Sequence, residues 1–148
     1  MFVLFDMDGV LVDSEPVWKK TEQAMLASYG IHMGIEELKM HAGVTTFDFC
    51  TKIARLNPDL RLNVEEMVDK VVSEMVIQIR KLPLMPGVEA FIAHLKEEGV
   101  PMAIASSSSL ALIEAVIDQH QLPIDHYESG SALGISKPHP EVFIRAAA

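Results

Sequence analysis

The sequence is poor in cysteine, poor in positive charge, and without long apolar runs. Cys50 is the only cysteine among 148 residues, so no intrachain disulfide can form and a reducing, cytoplasmic compartment is expected. Its neighbours Phe47, Phe49 and Ile53 point to a small buried hydrophobe rather than a reactive thiol. Twelve lysines and arginines face 21 acidic residues, for a net charge of −9. That balance argues against nucleic acid or an anionic membrane surface as a bulk electrostatic partner. An anionic ligand would need a local cradle to overcome the same field. No apolar stretch approaches the roughly 20 residues needed to cross a bilayer. The apolar start, Met1–Val12, is interrupted by Asp6 and Asp8 and lacks the basic flank and cleavage site of a signal peptide. Internal repeats and low-complexity tracts are also absent. With 49% hydrophobic and 22% charged residues, the chain has the composition of a soluble globular domain.

Residues 2–6 (FVLFD) form a short apolar run closed by an acid, the pattern of a buried parallel strand. Ser14-Glu15-Pro16 opens a helix with apolar positions Val17, Trp18, Ala24 and Met25, and Gly30 stops it. A second helix is expected over about 46–56, ending at Asn57-Pro58. Asn63 and Glu66 have capping-box spacing ahead of a third, which carries Val64, Met67, Val68, Val71, Met75 and Ile79 at a period near 3.6. After Leu82–Gly87 the rhythm changes to helix 87–98, strand 100–105, a helix bearing Leu112 and Val116, a weak strand near His126–Ser129, and a helix after Pro140. The expected fold class is α/β: a doubly wound parallel sheet interrupted by a helical insert. The boundaries read as core 1–14, helical insert 15–82 and core again 83–148.

The chemistry concentrates in residues 6–15, DMDGVLVDSE. Two carboxylates at i and i+2 after a buried parallel strand sit where open α/β sheets bind ligands. If both enter one crevice, their repulsion calls for a cation, most simply Mg²⁺ on oxygen ligands. One carboxylate then suits attack on phosphorus, and the other, protonated, suits protonation of a leaving alcohol. Gly9 lets the backbone turn away without a Cβ clash. An isolated Asp-x-Asp would read as a solvated acidic turn. The strand before it and the Gly-Val-Leu-Val-Asp-Ser-Glu continuation after it favour a site.

This segment resembles the first motif of the haloacid dehalogenase superfamily, in its beta-phosphoglucomutase-like, sugar-phosphatase branch, which includes 2-deoxyglucose-6-phosphatase-like enzymes. Ser106 after VPMAIA matches the second motif, and Lys137 in Ser-Lys-Pro-His-Pro matches the third. The resemblance implies a Rossmann-like core with an inserted helical cap, and hydrolysis of a small phosphate monoester through a phospho-aspartate on Asp6. Asp8 would be the acid and base, Ser106, Ser107 and Lys137 would hold phosphate, and Asp6 and Asp8 would hold Mg²⁺. Ser106 and Lys137 also have bland readings, a helix cap within a serine cluster and a solvated surface lysine. His139, between two prolines, is read as loop structure.

Asp8 favours phosphoryl chemistry, because dehalogenases of the superfamily lack that acid. Trp18 stands where the mutases carry a histidine, and the turn around Gly43 (His41, Thr45, Thr46) has no basic pair. Both departures favour a phosphatase over a mutase. Trp18, His41, Thr45 and Thr46 are candidate substrate-pocket residues, and a hexose or hexitol phosphate is the expected substrate. The family's fourth motif, an acidic pair completing the metal shell, has no counterpart before Ala148. The sequence is therefore read as lacking the last part of the core, weak or inactive alone, and open to self-association through its incomplete sheet. The alternatives are a phosphosugar mutase or a non-catalytic phosphate- or partner-binding remnant.

Overall fold

A computed structural model describes all of residues 1–148. Three parallel strands form the sheet: β1 (Val3–Phe5), β2 (Met102–Ser106) and β3 (His126–Ser129), in the order β1-β2-β3. Val3 pairs with Met102, and Ser106 pairs with Ser129 at the C-terminal end. The helices are α1 (Glu15–Ser28), α2 (Ile35–Lys39), α3 (Thr46–Leu56), α4 (Val64–Ile79), α5 (Val88–Glu97), α6 (Leu110–His120), α7 (Gly130–Leu133) and α8 (Glu141–Ala147). The fold class is the α/β architecture expected. No helix is long and apolar enough to cross a membrane.

The chain divides into two compact units, one of residues 1–15 with 78–148 and one of residues 16–77. The second boundary, between residues 77 and 78, falls inside α4 and ahead of Leu82.

In the sheet unit, β2 alternates its side chains. Ala103 and Ala105 face α8, where they pack against buried Val142 and Ala146, with Leu4, Leu133 and Ile135 at the margin. Small side chains on that face let the helix approach closely. Ile104, fully buried, points to the opposite face by strand alternation. Phe5 meets Phe91 of α5 edge to face at 6.1 Å. The returning chain is tied to the first loop: Met85 N–H donates to the Leu11 carbonyl at 2.8 Å, and Val12 bridges Leu84 in antiparallel fashion.

The helical unit holds α1 to α3 and most of α4, one short helix more than the spacing indicated. Met67, Val71 and Met75 of α4 are buried, as are Met25, Leu26, Phe49 and Ile53. Asn63 Oδ1 accepts from Glu66 N–H at 3.2 Å, half of the expected capping box. Cys50 is fully buried, and its thiol is pushed up to about 12 by burial first and by Glu22 second. It is inert core, as its neighbours indicated.

β2 begins two residues later than the sequence pattern, with Pro101 outside it; the Pro101 carbonyl instead accepts from Val3 N–H at 2.9 Å. Ser106 is the last strand residue, and Ser109 occupies the N-cap position of α6. The bland reading of Ser106 as a helix cap is therefore corrected: three residues separate it from the helix.

Candidate active site

β1 ends at Phe5, and the next residues turn back on themselves. The N–H groups of Val10, Leu11 and Val12 all point to the Met7 carbonyl, at 3.2, 2.9 and 3.3 Å, and Gly9 takes a φ of +77°. Met7 is fully buried, which anchors the loop between two aspartates that stay partly accessible. In a strand-like stretch Asp6 and Asp8 leave on the side opposite Met7, so one buried residue presents both carboxylates together.

The side chains of the two acids have different partners. Asp6 Oδ1 accepts from Met7 N–H at 2.8 Å and lies 2.8 Å from Lys137 Nζ. The Lys137 ammonium also lies 5.1 Å from the Phe143 ring centroid. Asp8 is held by hydroxyls: Ser14 Oγ donates to its Oδ1 at 2.6 Å, Ser108 Oγ to its Oδ2 at 2.6 Å, and Ser106 Oγ to Oδ2 at 3.5 Å. Asp6 thus pairs with a cation, and three serine hydroxyls reach Asp8.

The serine loop 106–109 connects these groups. Ser106, fully buried, accepts from Ser108 N–H at 3.0 Å. Ser107 Oγ accepts from Lys137 N–H at 3.2 Å, which ties the lysine's main chain to the same loop. Ser109 makes no side-chain cap bond, and its Oγ is buried without a partner. Of the sequence-derived candidates, Asp6, Asp8, Ser106, Ser107 and Lys137 all belong to this one cluster, at the C-terminal ends of β1 and β2.

The other candidates lie in the helical unit. Trp18 is half-buried in the first turn of α1. His41 follows α2, with its ring 5.5 Å from that of Phe49 and its Nδ1 3.4 Å from Lys52 Nζ. Burial first, then Lys52 and Lys19, hold the imidazole below its ordinary value of 6.5, against a weaker opposing pull from Glu37. Thr45 has a structural occupation. It caps α3, accepting from Asp48 N–H at 3.0 Å and donating to Asp48 Oδ2 at 2.8 Å. Thr46 begins the helix.

Three site residues escaped the sequence reading. Ser14 looked like the opening of α1, yet it is fully buried and bonds Asp8. Ser108 is one of four consecutive serines, and nothing in the run marks the one whose hydroxyl turns to Asp8. Ser129, buried at the end of β3, donates to the Ser108 carbonyl at 2.6 Å.

A sequence model of the haloacid dehalogenase-like hydrolases matches residues 1–148. The chain belongs to that family. Among curated relatives of this haloacid dehalogenase-like hydrolase, hexitol phosphatase B of Escherichia coli is 33% identical over 149 residues, covering 98% of this chain and 67% of that protein. The chain thus spans about two thirds of that relative's length. Fructose-1-phosphate phosphatase of Escherichia coli is 28% identical over 152 residues, covering 98% of this chain and 77% of that protein. Among solved structures, CbbY from Rhodobacter sphaeroides in complex with phosphate superposes with a TM-score of 0.79 at 24% identity, covering 97% of this chain and 69% of that one. A beta-phosphoglucomutase from Clostridium difficile gives 0.77 at 19% identity, covering 97% and 68%. At such identities these two establish the fold alone.

Proposed function

We propose that this haloacid dehalogenase-like hydrolase is a phosphatase of small sugar phosphates, with a hexose or hexitol phosphate as substrate. The observation that carries the reading is the pairing of Asp6 with Lys137 beside an Asp8 held by three serine hydroxyls. The similarity to hexitol phosphatase B and fructose-1-phosphate phosphatase supports the substrate class. The carboxylate of Asp6 attacks phosphorus in line, with Lys137 neutralising the phosphoryl oxygens. Asp8, protonated, gives its proton to the departing alcohol, and then takes one from the water that cleaves the Asp6 phosphate. Ser106 and Ser107, with N–H groups of the loop leading to α6, hold the phosphoryl oxygens. The hydroxyls around Asp8 fix its direction through both half-reactions.

The donor set fits Mg²⁺, which keeps several waters and is held by one or two carboxylates plus substrate phosphate. The Asp6 carboxylate and the Asp8 main-chain carbonyl would hold it. When bound, the ion would add charge neutralisation at the phosphoryl group. No cluster of three or more acidic, histidine or cysteine side chains surrounds the position, so these 148 residues should bind the ion weakly and turn over slowly. Trp18, His41 and Thr46 are proposed to contribute to substrate selection from the helical unit, which would act as the cap. Residues 12–15 and 82–86 would serve as its hinges.

The test is hydrolysis of a panel of sugar phosphates with and without Mg²⁺. Preference for hexose or hexitol phosphates over nucleotides and phosphoglycolate supports the substrate class. Equal rates on all of them, or preference for a phosphate without a sugar, would remove it.

A further inference from the structure

The loop that holds Asp8 is itself held from the third strand. Ser129 is 1% exposed and pairs in register with Ser106 across the sheet. Its hydroxyl donates to the Ser108 carbonyl at 2.6 Å and accepts from Ala132 N–H, in the first turn of α7, at 3.0 Å. The next residue, Gly130, presses on the same loop: a Cβ built there would lie 3.3 Å from Ser107 Cα. One residue later along the loop than that contact, Ser108 Oγ donates to Asp8 at 2.6 Å.

From this chain of contacts we infer that Ser129 is a positioning residue, which aims the Ser108 hydroxyl at Asp8 by fixing the Ser108 main chain. Ser129 touches neither acid and has no place in the proposed proton transfers. The Ser108 carbonyl is bonded by a buried hydroxyl, and losing that donor leaves an acceptor to be satisfied by movement of the loop. Once the loop moves, the direction of the Ser108 hydroxyl is no longer set. Of its serine contacts, Asp8 then keeps Ser14, from its own segment, and the longer one from Ser106. The same hydroxyl caps α7, so one buried side chain couples the serine loop to the segment leading to Lys137. The functional half of this inference rests on the proposed phosphatase reading; the structural half does not.

The experiment uses the full 148-residue chain as wild type, Ser129→Ala and Ser129→Thr, with amide hydrogen exchange by NMR and Mg²⁺-dependent hydrolysis of p-nitrophenyl phosphate. Ser129→Ala should speed exchange at the Ser108 amide by about tenfold, the scale of one lost buried hydrogen bond. The amides of α5 and β1 should be unchanged, and Ser129→Thr, which keeps the hydroxyl, should restore protection. kcat should fall with the loosened loop while KM changes by less than about twofold, as for a group acting on the transition state. Unchanged exchange at Ser108, or a rise shared equally with α5, overturns the inference. So does a loosened loop that leaves kcat at the wild-type value. If the wild type hydrolyses nothing but Ser108 exchange responds as stated, the structural half stands and the functional half is overturned.

Discussion

Gly130 gives two physical arguments of opposite sign, and the structure decides between them. It is the first residue of α7, where replacing glycine by alanine ordinarily stabilises by about 0.4–1 kcal/mol through the unfolded chain. Its φ is not in the left-handed region, so no backbone strain opposes the change. The surroundings do. A Cβ would lie 2.6 Å from the Ile135 carbonyl oxygen, 3.3 Å from Ser107 Cα and 3.4 Å from Val142 Cγ2. The nearest two are main-chain atoms, and Ile135 N–H is bonded back to the Gly130 carbonyl at 2.9 Å, so the two residues cannot separate without losing that bond. Val142, a residue of α8, is fully buried. Overpacking of this kind costs about 1–3 kcal/mol. Set against the chain-entropy gain, Gly130→Ala should destabilise by about 1–2 kcal/mol. For a chain near this size, each kcal/mol lowers Tm by about 2–4 °C, so a fall of roughly 2–8 °C is expected. Thermal melts and urea titrations of the two proteins read this directly. A Tm equal to or above wild type would refute the claim that β3 and α7 press against the serine loop.

Lys137→Met should separate stability from catalysis. The Lys137–Asp6 pair is short, but the carboxylate is 44% exposed, so its loss should cost under about 1 kcal/mol in urea titration. Turnover should fall by about 10²–10³, because the cation acts on charge that develops at phosphorus. His41 makes stability depend on pH in a defined direction. The fold disfavours the charged ring, so below 6.5 the unfolded chain binds the proton more readily, and the stability it contributes is present above that value and lost as pH falls. His41→Asn should flatten the stability profile below pH 6.5 in urea titrations; an unchanged slope would contradict the burial argument. Cys50, buried and pushed up to about 12, should resist thiol reagents at neutral pH until the protein unfolds. Labelling of the native chain at the rate of a free thiol would place it at the surface.

The long elements were legible because their signals are periodic or chemical. α4 was marked by its apolar period, which buries Met67, Val71, Met75 and Ile79, and by Asn63, and α3 matches its expected limits at Thr46 and Leu56. Asp6, Asp8, Ser106 and Lys137 were legible as a motif, in which the residue type and its place after a strand carry the chemistry. The short helices α2 and α7 have five and four residues, too few for a 3.6 period to register. The serines around Asp8 were hidden for another reason. Ser14, Ser108 and Ser129 have the composition of ordinary caps and loops, and only the meeting of three distant segments brings Ser14 and Ser108 to Asp8 and Ser129 to the Ser108 carbonyl. Thr45 illustrates the converse: expected in a pocket, it also caps α3 with its hydroxyl, which local geometry alone shows.

The proposal that Asp6 is the nucleophile has a direct measurement. Wild type and freshly prepared Asp6→Asn are compared for Mg²⁺-dependent release of phosphate from a hexose phosphate, with urea titration confirming that both are folded. Activity present in the wild type and abolished in Asp6→Asn is the expected result, because the amide keeps the shape of the side chain but cannot form the acyl phosphate. Turnover that survives the substitution at a comparable rate would contradict a reaction through Asp6.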